Sequence, residues 1–121
     1  MSYTVSLEKC GSYNQKEVDK SINELISNLG GISRFVNKGC KVLLKPNIVK
    51  SASPDECATT HPAVIEAVIK ILKENDCKVY VGDAPFVDDT IESIKACGIY
   101  EVCKRNGAEI AIFNKKMNIK N

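Results

Sequence analysis

Two short runs, CKVLL (40–44) and CKVYV (77–81), constrain the fold of this 121-residue chain more than any other feature. Each is apolar and rich in β-branched residues. Asn37-Lys38-Gly39 precedes the first and Lys45-Pro46-Asn47 follows it, while Gly82-Asp83-Ala84-Pro85 follows the second. Runs of this kind, flanked by breakers, read as strands covered on both faces, as in a parallel sheet. The segment between them predicts a helix beginning near His61. That helix would carry Val64, Ile65, Val68, Ile69 and Leu72 inward and Glu66, Lys70 and Lys73 outward.

The rest of the chain extends the alternation. YTVSLEKC places Tyr3, Val5 and Leu7 on one face and predicts a half-buried first strand. From Lys16 to Leu29, the residues Val18, Ile22, Leu25, Ile26 and Leu29 form one apolar helical stripe, ended by Gly30-Gly31. Ile91–Ala96 and Ile99–Arg105 read as two short helices separated by Gly98, and AEIAIF (108–113) as the last strand. The order β-α-β-α-β-α-β predicts an α/β, three-layer fold with a mostly parallel sheet and right-handed β-α-β crossovers. Residues 1–121 are expected to form a single domain. The terminal NKKMNIKN supplies no helix to cover the remaining sheet, so either the sheet is small and open or the chain is the N-terminal lobe of a larger protein.

Composition restricts the function classes. With 44% hydrophobic and 26% charged residues, the chain has the make-up of an ordinary soluble domain. The net charge of +2 comes from interleaved signs without a basic, aromatic-studded stripe, so nucleic acid is not an expected partner. No apolar run approaches the roughly 20 residues that span a bilayer, and the first ten residues lack the layout of a signal peptide. A cytoplasmic location without membrane partners is the expectation. In that reducing compartment Cys10, Cys40, Cys57, Cys77, Cys97 and Cys103 read mostly as small buried hydrophobes. Cys57 lies in the polar loop 46–60 and is the exception, a candidate reactive or ligand thiol.

Chemistry gathers at one edge. Ligands of open α/β sheets sit outside the carboxyl ends of the strands. Lys45-Pro46-Asn47, Gly82-Asp83-Ala84-Pro85 and the helix start Thr59-Thr60-His61-Pro62 all map there. Lys45, Asn47, Thr59, Thr60, His61 and Asp83 are the candidate ligand-binding residues for a small anionic or carbonyl-bearing molecule or cofactor. His61, Lys45 and Asp83 are the catalytic candidates, and His61, Asp83 and Cys57 are candidate metal ligands. A purely structural reading stands beside this one. Thr60 suits an N-cap, Pro62 a first helical turn, Asp83 a turn after glycine, and Lys45–Asp83 a structural ion pair. No P-loop, dinucleotide fingerprint, nucleophile elbow or zincin motif occurs.

VLLKPNIV, TTHPAVIEAVIKILKE and KVYVGDAP, in this order and with SYN near the start, resemble the N-terminal part of the domain of unknown function 362 family. The resemblance implies a cytosolic α/β protein. It also implies a ferredoxin-like C-terminal region with [4Fe–4S] clusters, and hence a redox context. The family's motif residues fall on Lys45, Pro46, Asn47, Thr59, Thr60, His61, Pro62, Gly82, Asp83 and Pro85. Ala84 stands where a serine is common. No cluster motif occurs within this chain, so no cofactor is expected on it alone. Its expected partners are the C-terminal lobe or ferredoxin-like region and a small anionic ligand. A metal-dependent enzyme lobe using His61 and Asp83 and a non-catalytic interaction module are the alternative readings.

Overall fold

The computed structural model describes residues 2–85 and 88–113. Helix α1 (Gln15–Asn28) leads through a single 3-10 turn to strand β1 (Lys41–Leu44). A second 3-10 turn (Pro54–Glu56) lies in the loop before helix α2 (Pro62–Glu74), which is followed by strand β2 (Lys78–Val81). Helices α3 (Thr90–Ala96) and α4 (Ile99–Asn106) precede strand β3 (Glu109–Ile110). The described strands form an open, all-parallel sheet in the order β1-β2-β3, with Leu44 opposite Val81 and Val81 opposite Ile110. The class is α/β, as the alternation predicted.

Three layers follow from which side chains each element can bury. Val42, Leu44, Val79, Val81 and Ile110 turn one face of the sheet toward Ile65, Ile69 and Leu72 of α2 and Ile99, Val102 and Cys103 of α4. Ile69, Val81, Ile94 and Ile99 are wholly buried, each contributing about 1.5–3 kcal/mol relative to exposure. On its far side α2 offers the small residues Ala63 and Ala67, against which Val18 of α1 packs. The sheet, the α2–α4 layer and α1 are thus stacked in that order. No described helix is long and apolar enough to cross a membrane.

Four expectations change. The first strand does not form: Tyr3, Val5 and Leu7 are 84%, 86% and 92% exposed. The alternation is present, but its polar members face α1, where Asn28 Nδ2 donates to Ser6 Oγ (3.3 Å) and Glu8 Oε1 (2.8 Å). A strand needs a neighbour to complete its backbone hydrogen bonds, and a helix surface offers side chains instead. Among the described residues the sheet is covered on one face, since Lys41, Leu43, Lys78 and Glu109 alternate onto an exposed face. The last strand shrinks to two residues because β2, its only neighbour among the described residues, ends at Val81. Glu66 is turned inward, 6% exposed, because Arg105 grips its carboxylate with two donors and Asn106 Nδ2 adds a third at 3.1 Å. The terminal NKKMNIKN lies outside the described residues.

Candidate functional site

Register brings the two strand exits together. Leu44 pairs with Val81, so Lys45 and Gly82-Asp83 leave the sheet side by side at its carboxyl edge. Lys45 Nζ lies 2.5 Å from Asp83 Oδ1, and the side chains are 63% and 7% exposed. The carboxylate is buried, and most of the lysine side chain that reaches it is exposed. The other carboxylate oxygen, Oδ2, accepts the buried Ile48 N–H at 2.8 Å. Burial pushes the Asp83 carboxyl up, but Lys45 and the Ile48 and Ala84 N–H groups outweigh it and hold the group below the usual aspartate value. Asp83 is therefore ionised at neutral pH. Gly82 lets the backbone after β3 approach closely: a Cβ there would sit 2.2 Å from the Ala111 carbonyl oxygen.

The two ends of the β1–α2 connection are tied directly. Ile48 and Thr59 form an isolated antiparallel bridge, and Thr60 N donates to the Asn47 carbonyl at 3.0 Å. In return Asn47 N donates to Thr60 Oγ1 at 3.1 Å. The Thr60 hydroxyl is committed to this contact and is not the helix cap expected of it. The cap is His61, whose Nδ1 accepts the Ala63 N–H at 3.1 Å, with Pro62 opening the helix. The imidazole also stacks on Tyr13, ring centroids 3.6 Å apart and planes 9° from parallel. Burial lowers the His61 pKa, the Asp55 charge partly opposing it, and a neutral ring is what Nδ1 needs to accept a hydrogen bond.

The remaining candidates are placed less centrally. Thr59 Oγ1 is buried without a hydrogen-bond partner. Cys57 is exposed in a left-handed conformation (φ 53°), its sulfur 3.6 Å from the Asp55 carbonyl. Asn47 is exposed, and Pro46 beneath it is buried. Among the described residues no group of three or more His, Cys, Asp or Glu side chains is placed to hold a metal ion.

Contacts that sequence spacing does not reveal hold the loop in place. Ser51 N donates to Asp88 Oδ2 at 2.6 Å, and Ser51 Oγ lies 3.3 Å from the fully buried Ser93 Oγ. Tyr13, Asp88 and Ser93 belong to no motif, and each meets its partner across a long stretch of chain. Surface clefts among the described residues include one lined by Tyr3, Leu29, Arg34 and Phe35, another by Tyr100, Lys104 and Ala108, and a third by Cys10, Gly11, Ser12 and Tyr13, whose ring stacks on His61. The edge at Lys45 is a shelf with an exposed lysine side chain at its rim.

No solved structure matches the chain. The Thylakoid-associated protein sll1697 of Synechocystis sp. is 36% identical over 85 residues, which are 70% of this chain. The matched region spans 26% of that relative, so the chain corresponds to about a quarter of its length. Residues 42–121, which include β1 from Val42 onward, the tied connection and the Lys45–Asp83 pair, match the family described as Domain of unknown function (DUF362), and the chain belongs to that family.

Proposed function

We propose that this chain acts as an α/β lobe of a cytoplasmic, iron–sulfur-associated redox protein, and that the carboxyl edge of β1 and β2 binds a small anionic molecule or cofactor. The observation that carries the binding reading is the asymmetry of the Lys45–Asp83 pair. A buried carboxylate fixes the base of the ammonium while 63% of the lysine side chain stays exposed. A lysine held this way presents a point charge with free donors at the edge where open α/β sheets take ligands. Asn47 is exposed beside it, and the Asn47–Thr60 contacts keep the shelf in shape.

The cysteines described here do not fit an iron–sulfur cluster. Such a cluster takes four converging thiolates. Here Cys97 and Cys103 are in the core, and Cys10 and Cys57 are exposed in separate loops. The reading therefore assigns cluster ligation to the ferredoxin-like region of a longer polypeptide, and no step is routed through a cluster on this lobe. The solvent-facing Leu43, 50% exposed, and the 86% and 92% exposed Val5 and Leu7 suit a lobe that packs on further polypeptide. A metal centre on His61 and Asp83 gains no support from the geometry. Both Asp83 oxygens and His61 Nδ1 already have partners.

Two experiments separate the halves of the proposal. Titration with inorganic phosphate or pyrophosphate, followed by amide NMR shifts, is expected to move Asn47, Ile48, Thr60 and Asp83, and Lys45→Ala to abolish the effect. Equal shifts in the variant, or none in the parent, overturn the anion shelf. Anaerobic reconstitution of the longer protein with iron and sulfide is expected to give charge-transfer absorption. A colourless product overturns the redox assignment and leaves the shelf standing.

A further inference from the structure

Away from the shelf, at the opposite end of the same two strands, Cys40 and Cys77 precede β1 and β2 by one residue each. Lys41 pairs with Lys78, and Lys78 N donates to the Cys40 carbonyl at 2.9 Å, so the two cysteines occupy neighbouring positions on adjacent parallel chains. Their sulfurs are 3.8 Å apart. Adjacent strands run about 4.7–4.9 Å apart, inside the 4.4–6.8 Å Cα separation that a disulfide tolerates. The backbone here is already fixed. Gly39 N donates to the Asn75 carbonyl at 3.0 Å, and Lys38 pairs with Asp76 at 3.2 Å across the two turns.

We propose that Cys40 and Cys77 form an oxidisable dithiol, a modification site that takes a small-molecule disulfide as its oxidant. Cys40 is partly exposed and Cys77 is 2% exposed, which sets the order of events. The Cys40 thiolate attacks one sulfur of the external disulfide. A Cys40–S–S–R bond forms, and the departing thiolate takes up the proton that Cys40 gave. The Cys77 thiolate then attacks the Cys40 sulfur, closing the protein disulfide and expelling the second small thiolate, which takes the Cys77 proton. Two protein thiols are oxidised and one external disulfide is reduced to two thiols.

Burial, with Cys40 close by, raises the Cys77 thiol above its ordinary pKa, so it attacks only once it is delivered to the neighbouring Cys40 sulfur. The bond would enclose β1, the tied connection and α2 in one covalent loop.

The test is oxidation of the folded 121-residue chain with oxidised glutathione, followed by alkylation, trypsin and mass spectrometry. Cleavage after Lys38, Lys41, Lys73 and Lys78 isolates the peptides 39–41 and 74–78, each with a single cysteine. The expected product is these two peptides joined, with a rise in Tm on the order of 10 °C that dithiothreitol reverses. Cys77→Ser should instead accumulate glutathione on Cys40, and Cys40→Ser should leave Cys77 unmodified. Parent protein that keeps glutathione on Cys40, or that joins other cysteines in preference, overturns the proposal. The parent peptide map decides the matter even where a serine variant does not fold.

Discussion

Asp83 accepts the backbone N–H of Ile48 with one carboxylate oxygen and the ammonium of Lys45 with the other, so one buried side chain joins the exits of two strands. The two partners differ in what their loss would expose. Asp83→Ala leaves the N–H of Ile48, itself 1% exposed, without a partner and should cost about 1–3 kcal/mol. Lys45→Ala removes a mostly solvated charge and should cost under about 1 kcal/mol. Urea unfolding of the two variants checks the order. A Lys45 variant less stable than the Asp83 variant would show that the lysine, rather than the carboxylate, holds the edge together.

Stability should fall toward acid. Glu66 is held below its ordinary value of 4.5, chiefly by its hydrogen bonds to Arg105, and burial only partly opposes them. Asp83 is held below 3.8 despite burial. Carboxyls depressed in the folded state contribute fully above their unfolded values and lose that contribution as pH falls through their folded values. The loss is expected below about pH 4.5 from Glu66 and below about pH 3.8 from Asp83. Glu66→Gln and Asp83→Asn should each flatten the slope of unfolding free energy against pH in that range.

His61 should show a separate slope at milder pH. Its folded value lies below the ordinary 6.5 because of burial, so the unfolded chain takes up the proton first and stability erodes as pH falls below that point. Protonation turns Nδ1 into a donor and removes the Ala63 cap. His61→Asn keeps a good cap and should abolish this slope. His61→Ala should cost about 1 kcal/mol for the lost cap. A double-mutant cycle with Tyr13→Ala should add a coupling near the lower end of about 0.5–1.5 kcal/mol, since Tyr13 is 62% exposed. Additive single and double variants would mean the stacked rings contribute nothing.

Gly82→Ala should loosen the third strand. The new methyl would meet the Ala111 carbonyl oxygen, which is backbone and cannot rotate aside. A cost of about 1–3 kcal/mol is expected from overpacking. Hydrogen exchange at Ala111 N, which donates to the Val81 carbonyl at 2.9 Å, should quicken more than exchange in β1.

Local pattern was enough to place α1, α2, β1 and β2, because hydrophobic spacing, glycine breaks and the proline at the helix start act within a few residues. It was also enough to bring Lys45, Thr60, His61 and Asp83 to one region, because strands joined by a helix send their carboxyl ends to the same edge. The pairing of atoms was settled only by the tertiary structure. The sequence offers Thr60 as the helix cap, but the approach of Asn47, thirteen residues earlier, drew the Thr60 hydroxyl away and left the cap to His61. The alternation at Tyr3, Val5 and Leu7 satisfies every local condition for a strand, yet none forms, because pairing depends on a neighbour the segment does not supply. Glu66 reads as a solvent-facing position until Arg105, 39 residues on, supplies the charge that lets it be buried. Spacing along the chain carries backbone geometry, whereas hydrogen-bond and charge partners are chosen across space among groups far apart in sequence.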